Sequence, residues 1–240
     1  MTPLVLVHGF MGGSAQWDGY VDDLLKRRKL IAVDLPGFGS NAHLPPIHSI
    51  GGYADWVVGH LRGLGVEKYH LLGHSMGGMI VQDIARLDRG KIDRLVLYAT
   101  GAIGVLPGRF ETIEDSKRRA TEDGPVATAR RIAATWFLDR EAADGYEPCA
   151  AIAAQTELAA IHAGLDAMQS WSGAQALQEI RQDTLILWGD RDRTYPWQQI
   201  QRLWEGISKT SLAVVPGCAH AVHAEKPDLF QALTLDFLEH

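Results

Sequence analysis

The sequence predicts an α/β protein with a mostly or wholly parallel sheet of about six strands, flanked by helices. Six short apolar runs lack polar alternation, which is typical of strands that are buried on both faces of a sheet. Helical patterns lie between most of these runs, and this alternation indicates a doubly wound sheet. The length of 240 residues suits one such domain.

The predicted elements follow one another along the chain. The apolar runs are "LVLV" (4–7), "LIAVDL" (30–35), "YHLL" (69–72), "RLVLYA" (94–99), "TLILW" (184–188) and "LAVV" (212–215). The intervening helical patterns include "DGYVDDLLKR", "YADWVVGHLRGLG" and "MIVQDIARL". Each of these repeats apolar residues at the three- and four-residue spacing of an amphipathic helix.

One interval is too long for a single crossover helix, because residues 100–183 separate the fourth run from the fifth. Residues 105–168 are rich in alanine, charged residues and other helix formers. We therefore expect three or four helices here, inserted as a lid (cap) into a core formed by residues 1–104 and 169–240.

Composition narrows the class of protein. Hydrophobic residues make up 46% of the chain and charged residues 22%, as in globular proteins with a sizeable core. A net charge of −6 argues against nucleic acid or an anionic membrane as partner. The chain shows no 18-residue apolar stretch and no basic leader, and its two cysteines suggest no disulfide framework. We expect a cytoplasmic enzyme that acts on a small molecule without a metal or other cofactor.

A serine stands among glycines at the end of the third run. Gly73-His74-Ser75-Met76-Gly77 fits the G-x-S-x-G spacing, in which small residues let a strand and a helix approach closely around an exposed nucleophile. A plain strand-to-helix turn would also fit this stretch. The choice depends on whether the rest of the chain supplies a base and an acid.

A serine hydroxyl is a poor nucleophile unless a base takes its proton and a third group orients that base. Asp190 and Asp192 follow the fifth run, at the carboxyl edge where open α/β sheets bind ligands. We favour Asp192, because two more residues carry it clear of the strand end. A solvated turn aspartate is the alternative interpretation.

The base is expected after the sixth run, where "GCAHAVHAEKP" offers His220 and His223. We favour His220 because it lies early in this loop, whereas His223 lies where the chain turns into the last helix. His74, beside the serine, fits a packing or pocket residue better than a second base.

A tetrahedral intermediate also needs donors for its oxyanion. The backbone N–H of Met76 lies at a helix N-terminus, which favours negative charge. The second donor is expected in the glycine-rich loop "HGFMGG", and the N–H of Phe10 is our prediction.

Aromatic residues of the lid region could form an apolar substrate pocket. We name Trp136, Phe137 and Trp171 as lining residues together with His74, although each aromatic would equally fit the core of the lid.

Five motifs in this order resemble those of the α/β-hydrolase fold family. They are "HGFMGG", "DLPGFGS", "GHSMGG", "GDRDRTYP" and "GCAHAVHAEKP", and they span nearly the whole chain. The resemblance implies the α/β-hydrolase fold and a catalytic triad of Ser75, Asp192 and His220. Family members normally begin with two further strands, which this sequence does not show, so we expect six strands that are all parallel.

The resemblance implies a serine carboxylesterase that works through an acyl-enzyme. The run "SMGGMIVQ" is most similar to carboxylesterases and 3-oxoadipate enol-lactonases, so a lactone or C–C bond hydrolase is the alternative. The meta-cleavage C–C hydrolases usually have tryptophan where this chain has Ala221. Haloalkane dehalogenases and epoxide hydrolases have aspartate in place of Ser75.

Two functions of other classes remain as alternatives. A non-catalytic small-molecule receptor could use the same fold. A metal enzyme could use Cys218, His220, His223 and Glu225, although a single loop rarely completes a metal site alone.

Overall fold

The computed structural model describes residues 2–105 and 111–240. In this part of the chain one sheet contains β1 (Leu4–Val7), β2 (Leu30–Val33), β3 (Tyr69–His74), β4 (Ile92–Tyr98), β5 (Asp183–Gly189) and β6 (Thr210–Val215). The strand order is β2-β1-β3-β4-β5-β6, and every neighbouring pair is parallel. The six predicted strands and the parallel sheet are confirmed.

Helices connect the strands. They are α1 (Asp22–Arg27), α2 (Ile50–Gly63), α3 (Met76–Leu87), α4 (Ile113–Asp123), α5 (Pro125–Ala134), α6 (Tyr146–Ala153), α7 (Leu158–Gln169), α8 (Trp197–Gly206), α9 (Val222–Glu225) and α10 (Pro227–Glu239). Short 3₁₀ helices occur at Ser14–Trp17, Gly39–Asn41, Arg140–Ala142 and Ala174–Glu179. Within the described ranges, every helix is too short or too polar to cross a bilayer.

Both faces of the sheet are buried, which explains why the strands lack polar alternation. Leu95 of β4 packs in one core with Ile80 of α3. Its neighbour Val96 points to the opposite face and packs in a second core with Phe230 of α10. Successive side chains of a strand alternate between faces, so a strand covered on both sides must be apolar throughout.

The long interval between β4 and β5 contains α4, α5, α6 and α7. Its two ends meet at an antiparallel bridge between Ile103 and Ser172. The helical insertion therefore leaves the core and rejoins it at the same place. The helical character predicted for 105–168 is therefore present, with residues 106–110 lying outside the described part. That this insertion acts as a lid remains a prediction.

Candidate active site

Ser75 lies on the tight turn between β3 and α3, with φ 57° and ψ −118°. A positive φ is uncommon for a residue other than glycine and stores backbone strain. The end of β4 holds the turn, because the N–H of Ser75 donates to the carbonyl of Tyr98 at 2.9 Å. The hydroxyl of Thr100 donates to the carbonyl of Ser75 at 2.7 Å.

Two glycines permit this turn. A Cβ on Gly73 would lie 2.3 Å from the carbonyl oxygen of Gly77, and one on Gly77 would lie 2.4 Å from that of Val7. Both distances are shorter than any tolerated contact, and the atoms that would be met are backbone atoms. The G-x-S-x-G spacing thus reflects the close approach of β1, β3 and α3 beneath Ser75.

His220 and Asp192 form a buried pair. His220 Nδ1 lies 2.9 Å from Asp192 Oδ2, and both side chains are almost fully buried. Asp192 Oδ1 accepts the N–H groups of Thr194 at 2.7 Å and Tyr195 at 3.2 Å. Because a carboxylate only accepts hydrogen bonds, Nδ1 of His220 carries the proton. Its Nε2 is then free to act as an acceptor, and His220 and Ser75 line the same cavity.

The alternative acid, Asp190, has a different partner. Its Oδ1 accepts the N–H of Gly217 at 2.7 Å, which ties the loop after β5 to the loop that leads to His220. Its Oδ2 lies 3.6 Å from Nε of Arg191. Of the two aspartates, Asp192 is the one that meets the histidine.

The alternative base, His223, also lines the cavity, but its side chain is buried and contacts Tyr98. The hydroxyl of Tyr98 accepts its backbone N–H at 3.0 Å and lies 2.8 Å from its Nδ1. Its ring centroid is 5.0 Å from that of Trp17. Burial, with a smaller contribution from His220, lowers the pKa of His223 to about 3. His223 is therefore neutral near pH 7 and is bonded to Tyr98.

His74 contacts the backbone of His220. Its Nε2 lies 3.3 Å from the carbonyl oxygen of His220, and its Nδ1 lies 3.3 Å from Nε2 of Gln16. A carbonyl only accepts, so His74 donates from Nε2 and accepts at Nδ1. Burial, followed by the neighbouring imidazoles of His220 and His223, holds the pKa of His74 well below its usual range. His74 also lines the cavity, and its role in substrate binding remains a prediction.

The loop that carries Phe10 is held by a histidine that sequence reasoning did not single out. His8 Nε2 accepts the N–H of Leu35 at 3.0 Å, so its Nδ1 donates to the carbonyl of Gly9 at 2.8 Å. Burial lowers the pKa of His8 to about 4, which keeps this tautomer neutral. The only sequence signal was its place directly before "GFMGG".

Both predicted oxyanion donors border the site. Phe10 lines the cavity, and Met11, the next residue, has a φ of 59° within a turn closed by the N–H of Gly12 on the carbonyl of Gly9 at 3.1 Å. Met76 is the first residue of α3, where backbone N–H groups lack acceptors within the helix. The donor roles of Phe10 and Met76 remain predictions.

A second anchor of this loop was also missed. Asp34, in "DLPGFGS", accepts the N–H of Ser14 at 2.6 Å, its hydroxyl at 2.8 Å and the hydroxyl of Ser40 at 2.6 Å. The segment after the oxyanion loop is thereby tied to the carboxyl end of β2. This explains why the two glycine-containing motifs occur together.

The cavity is open to solvent, and the space between its walls and at its mouth totals about 970 Å³. Its walls combine the loops that carry Ser75 and His220 with apolar side chains of the insertion. Among the lining residues are Phe10, Ser75, Ile132, Trp136, Cys149, Ile152, Met168, Arg193, His220 and Ala221. Of the three predicted aromatics, Trp136 lines the cavity.

The structure does not bring Phe137 and Trp171, the other two predicted aromatics, to the cavity wall. Phe137 is fully buried in the core of the insertion, where its ring meets Tyr146 edge to face. Trp171 turns toward α3 and donates from Nε1 to Asp83 at 3.2 Å. In both cases packing against a neighbouring helix decides the direction of the side chain.

Of the four residues considered as metal ligands, Cys218 and Glu225 pair with each other and the two histidines face other partners. Cys218 donates to Glu225 at 3.2 Å, whereas His220 faces Asp192 and His223 faces Tyr98. Across residues 2–105 and 111–240, no three His, Cys, Asp or Glu side chains form a group that could hold a metal ion.

Four buried histidines with lowered pKa values, His8, His70, His74 and His223, should make the fold sensitive to acid. Their pKa values are held below 6.5, so the unfolded chain binds more protons as the pH falls below this value, and stability decreases. Between pH 7.5 and 5, we expect a loss of about 2 kcal/mol for each of His8 and His223.

Urea unfolding at each pH measures this loss. His8→Asn should flatten the pH dependence, whereas His43→Asn, at an exposed position, should leave it unchanged. A free energy of unfolding that stays constant from pH 7.5 to 5 would contradict the assignment of these histidines as neutral.

Comparison with known proteins supports the fold. The solved structure of an enol-lactonase from Burkholderia xenovorans superimposes with a TM-score of 0.89 at 20% identity, covering 100% of this chain and 92% of that one. A thermophilic esterase from Thermogutta terrifontis gives 0.88 at 24% identity, covering 100% and 90%. A 2-hydroxy-6-oxo-2,4-heptadienoate hydrolase of Pseudomonas putida is 30% identical over 99% of this chain and 89% of its own length.

The model of the alpha/beta hydrolase family matches residues 4–233. This match includes all six strands and the turn that carries Ser75. The chain therefore belongs to the alpha/beta hydrolase family.

Proposed function

We propose that this hydrolase cleaves a carboxylic ester of a small, neutral molecule through an acyl-enzyme. The observation that carries the proposal is the placement of Ser75, on a strained turn, along the same cavity as His220, which pairs with Asp192. Each member follows a different strand, and all three lie at the carboxyl edge of the sheet.

In the proposed mechanism Ser75 Oγ attacks the ester carbonyl while His220 Nε2 takes the hydroxyl proton. Asp192 Oδ2 fixes the Nδ1–H tautomer of the imidazole and stabilises the imidazolium that forms. The carbonyl oxygen becomes an oxyanion, for which the N–H groups of Phe10 and Met76 are the proposed donors.

Collapse of this intermediate breaks the ester bond. The imidazolium of His220 gives its proton to the leaving alkoxide, and the acyl group stays on Ser75. A water molecule then attacks the acyl-enzyme with His220 as base, which releases the carboxylic acid and restores the serine hydroxyl. The reaction needs no group beyond the chain and water.

The charge of the cavity favours a neutral substrate. Within the described part of the chain, the cationic side chain at the cavity wall is Arg193. Its guanidinium already donates to the carbonyls of Phe137 at 2.8 Å and Leu138 at 3.0 Å. His74 and His223 are neutral because their pKa values are held low.

A lactone or C–C bond hydrolase is the second candidate function. It is favoured by the 30% identical relative, whose name specifies a carboxylated oxo-dienoate as substrate. Such a substrate needs a group that pairs with its carboxylate. Arg193 could serve only if it released the two carbonyls of the insertion.

A substrate panel separates these functions. We would compare p-nitrophenyl esters of increasing acyl length, a neutral lactone, a carboxylated enol-lactone and a 2-hydroxy-6-oxo-dienoate, each with wild-type protein and Ser75→Ala. Turnover of neutral esters by wild type alone supports the proposal. Turnover confined to the carboxylated compounds would replace it with the second candidate.

A further inference from the structure

The insertion is tied to both catalytic loops through one short segment, Trp136–Leu138, which follows α5. The N–H of Ala221 donates to the carbonyl of Trp136 at 2.9 Å. Arg193 donates to the next two carbonyls, as described above. Ala221 directly follows His220, and Arg193 directly follows Asp192. Each of these hydrogen bonds to the insertion therefore comes from the residue next to a proposed triad member.

Glu225 connects the same segment to the other side of the base. Its Oε1 accepts the N–H of Leu138 at 2.6 Å, and its Oε2 accepts the N–H of Ala219 at 2.6 Å. The thiol of Cys218 donates to the same Oε2 at 3.2 Å. Burial, reinforced by the charge of Glu225, raises the pKa of Cys218 above its usual range, so this donor keeps its proton.

These contacts fix the backbone on both sides of His220. Ala219, before it, is held by Glu225, and Ala221, after it, is held by Trp136. The two supports are themselves joined, because Glu225 also holds Leu138, two residues beyond Trp136. The insertion therefore supports the loop that carries His220.

We propose that Glu225 is a positioning residue, which orients His220 by binding the insertion and the histidine loop with one carboxylate. It faces backbone donors and the Cys218 thiol rather than the reacting atoms. A displacement of about 1 Å of a catalytic group lowers the rate on the order of 10²-fold. Loss of the hydrogen bonds to Glu225 should therefore lower kcat. The proposal rests on the proposed function, in which His220 is the base.

Glu225→Gln is the sharpest variant, because it keeps the shape and replaces one acceptor oxygen with an NH₂ group. That group would face the N–H of either Leu138 or Ala219, so one of these two hydrogen bonds is lost. We expect kcat to fall by about 10²-fold with KM changed less than about threefold. Amide hydrogen exchange should become faster at residues 138 and 219 and stay unchanged in β5.

A spectroscopic readout separates positioning from a merely structural role. In ¹⁵N-histidine NMR spectra, the Nδ1–H signal of His220, held by Asp192, should broaden or shift in Glu225→Gln. Glu205→Gln, at an exposed position on α8, is the matched control and should change none of these properties. Thermal unfolding checks that each variant is folded. If Glu225→Gln does not fold, Glu225→Asp, whose shorter side chain can form only one of the two hydrogen bonds, should show the same changes.

Faster exchange at residues 138 and 219 with unchanged kcat and an unchanged His220 signal would overturn the proposal. An effect on KM alone would also overturn it, because Glu225 would then act on substrate binding. If wild-type protein hydrolyses none of the panel, the proposed function fails. The NMR signal and the exchange rates would then still decide whether Glu225 positions His220.

Discussion

Replacing Ser75 with alanine is expected to abolish ester hydrolysis, with a loss on the order of 10⁴-fold or more in kcat. The change removes Oγ, the atom that attacks the ester. It should leave the turn between β3 and α3 intact, because the two hydrogen bonds that hold Ser75 there involve its backbone N–H and carbonyl. Steady-state kinetics and circular dichroism of the purified variant measure activity and fold.

Ser211→Ala, at an exposed position of β6, is the matched control and should keep wild-type activity. A Ser75→Ala protein that is folded and retains a tenth of wild-type turnover would show that another group is the nucleophile.

Replacing His220 with alanine should reduce turnover by a factor comparable to that of losing Ser75, on the order of 10⁴-fold. Without the imidazole, no group of the site takes the serine proton, and Asp192 is left buried without its partner. The rate of Ser75 labelling by a sulfonyl fluoride, measured beside kcat, should fall in parallel.

His223 provides the contrasting variants. His223→Asn places an amide oxygen near the position of Nδ1, where it can meet the Tyr98 hydroxyl, and should keep activity within a few-fold. His223→Ala leaves space beside Trp17 and should lower stability rather than the kcat of the folded protein. If His223→Asn is inactive while His220→Ala turns over normally, the base is His223.

The pH dependence of kcat/KM checks the same assignment. Turnover should rise with pH through a single ionisation, because only a neutral imidazole accepts the serine proton. His8, His74 and His223 should add no second ionisation to this pH profile near neutral pH, because burial holds the pKa of each below its usual range.

The strands, and the positions of Ser75, Asp192 and His220 after three of them, were predictable because their signals are local. A parallel strand covered on both faces must be apolar, and Gly73 and Gly77 report the close backbone contacts at Ser75. The order serine, aspartate, histidine then follows from placing each residue after its strand. These inferences use only a few neighbouring residues at a time.

The supporting contacts were not predictable, because they join residues far apart in the chain. In the sequence, Tyr98 stands at the end of a predicted strand and Glu225 before a predicted helix. Their hydrogen-bond partners become known only once the fold brings β4, the insertion and the last loop together. For the same reason, the directions of the Phe137 and Trp171 side chains were not predictable. An aromatic in a helical insertion can face the cavity or a neighbouring helix, and packing decides between them.

The acyl-enzyme itself tests the central claim most directly. Wild-type protein would be quenched in acid during turnover of p-nitrophenyl butyrate, and its peptides would be mapped by mass spectrometry. We predict one butyryl group on Ser75. Cys149 also lines the cavity, but burial raises its pKa to about 11, so it should stay unmodified. Turnover without an adduct on Ser75, or with the butyryl group on another residue, would contradict the account.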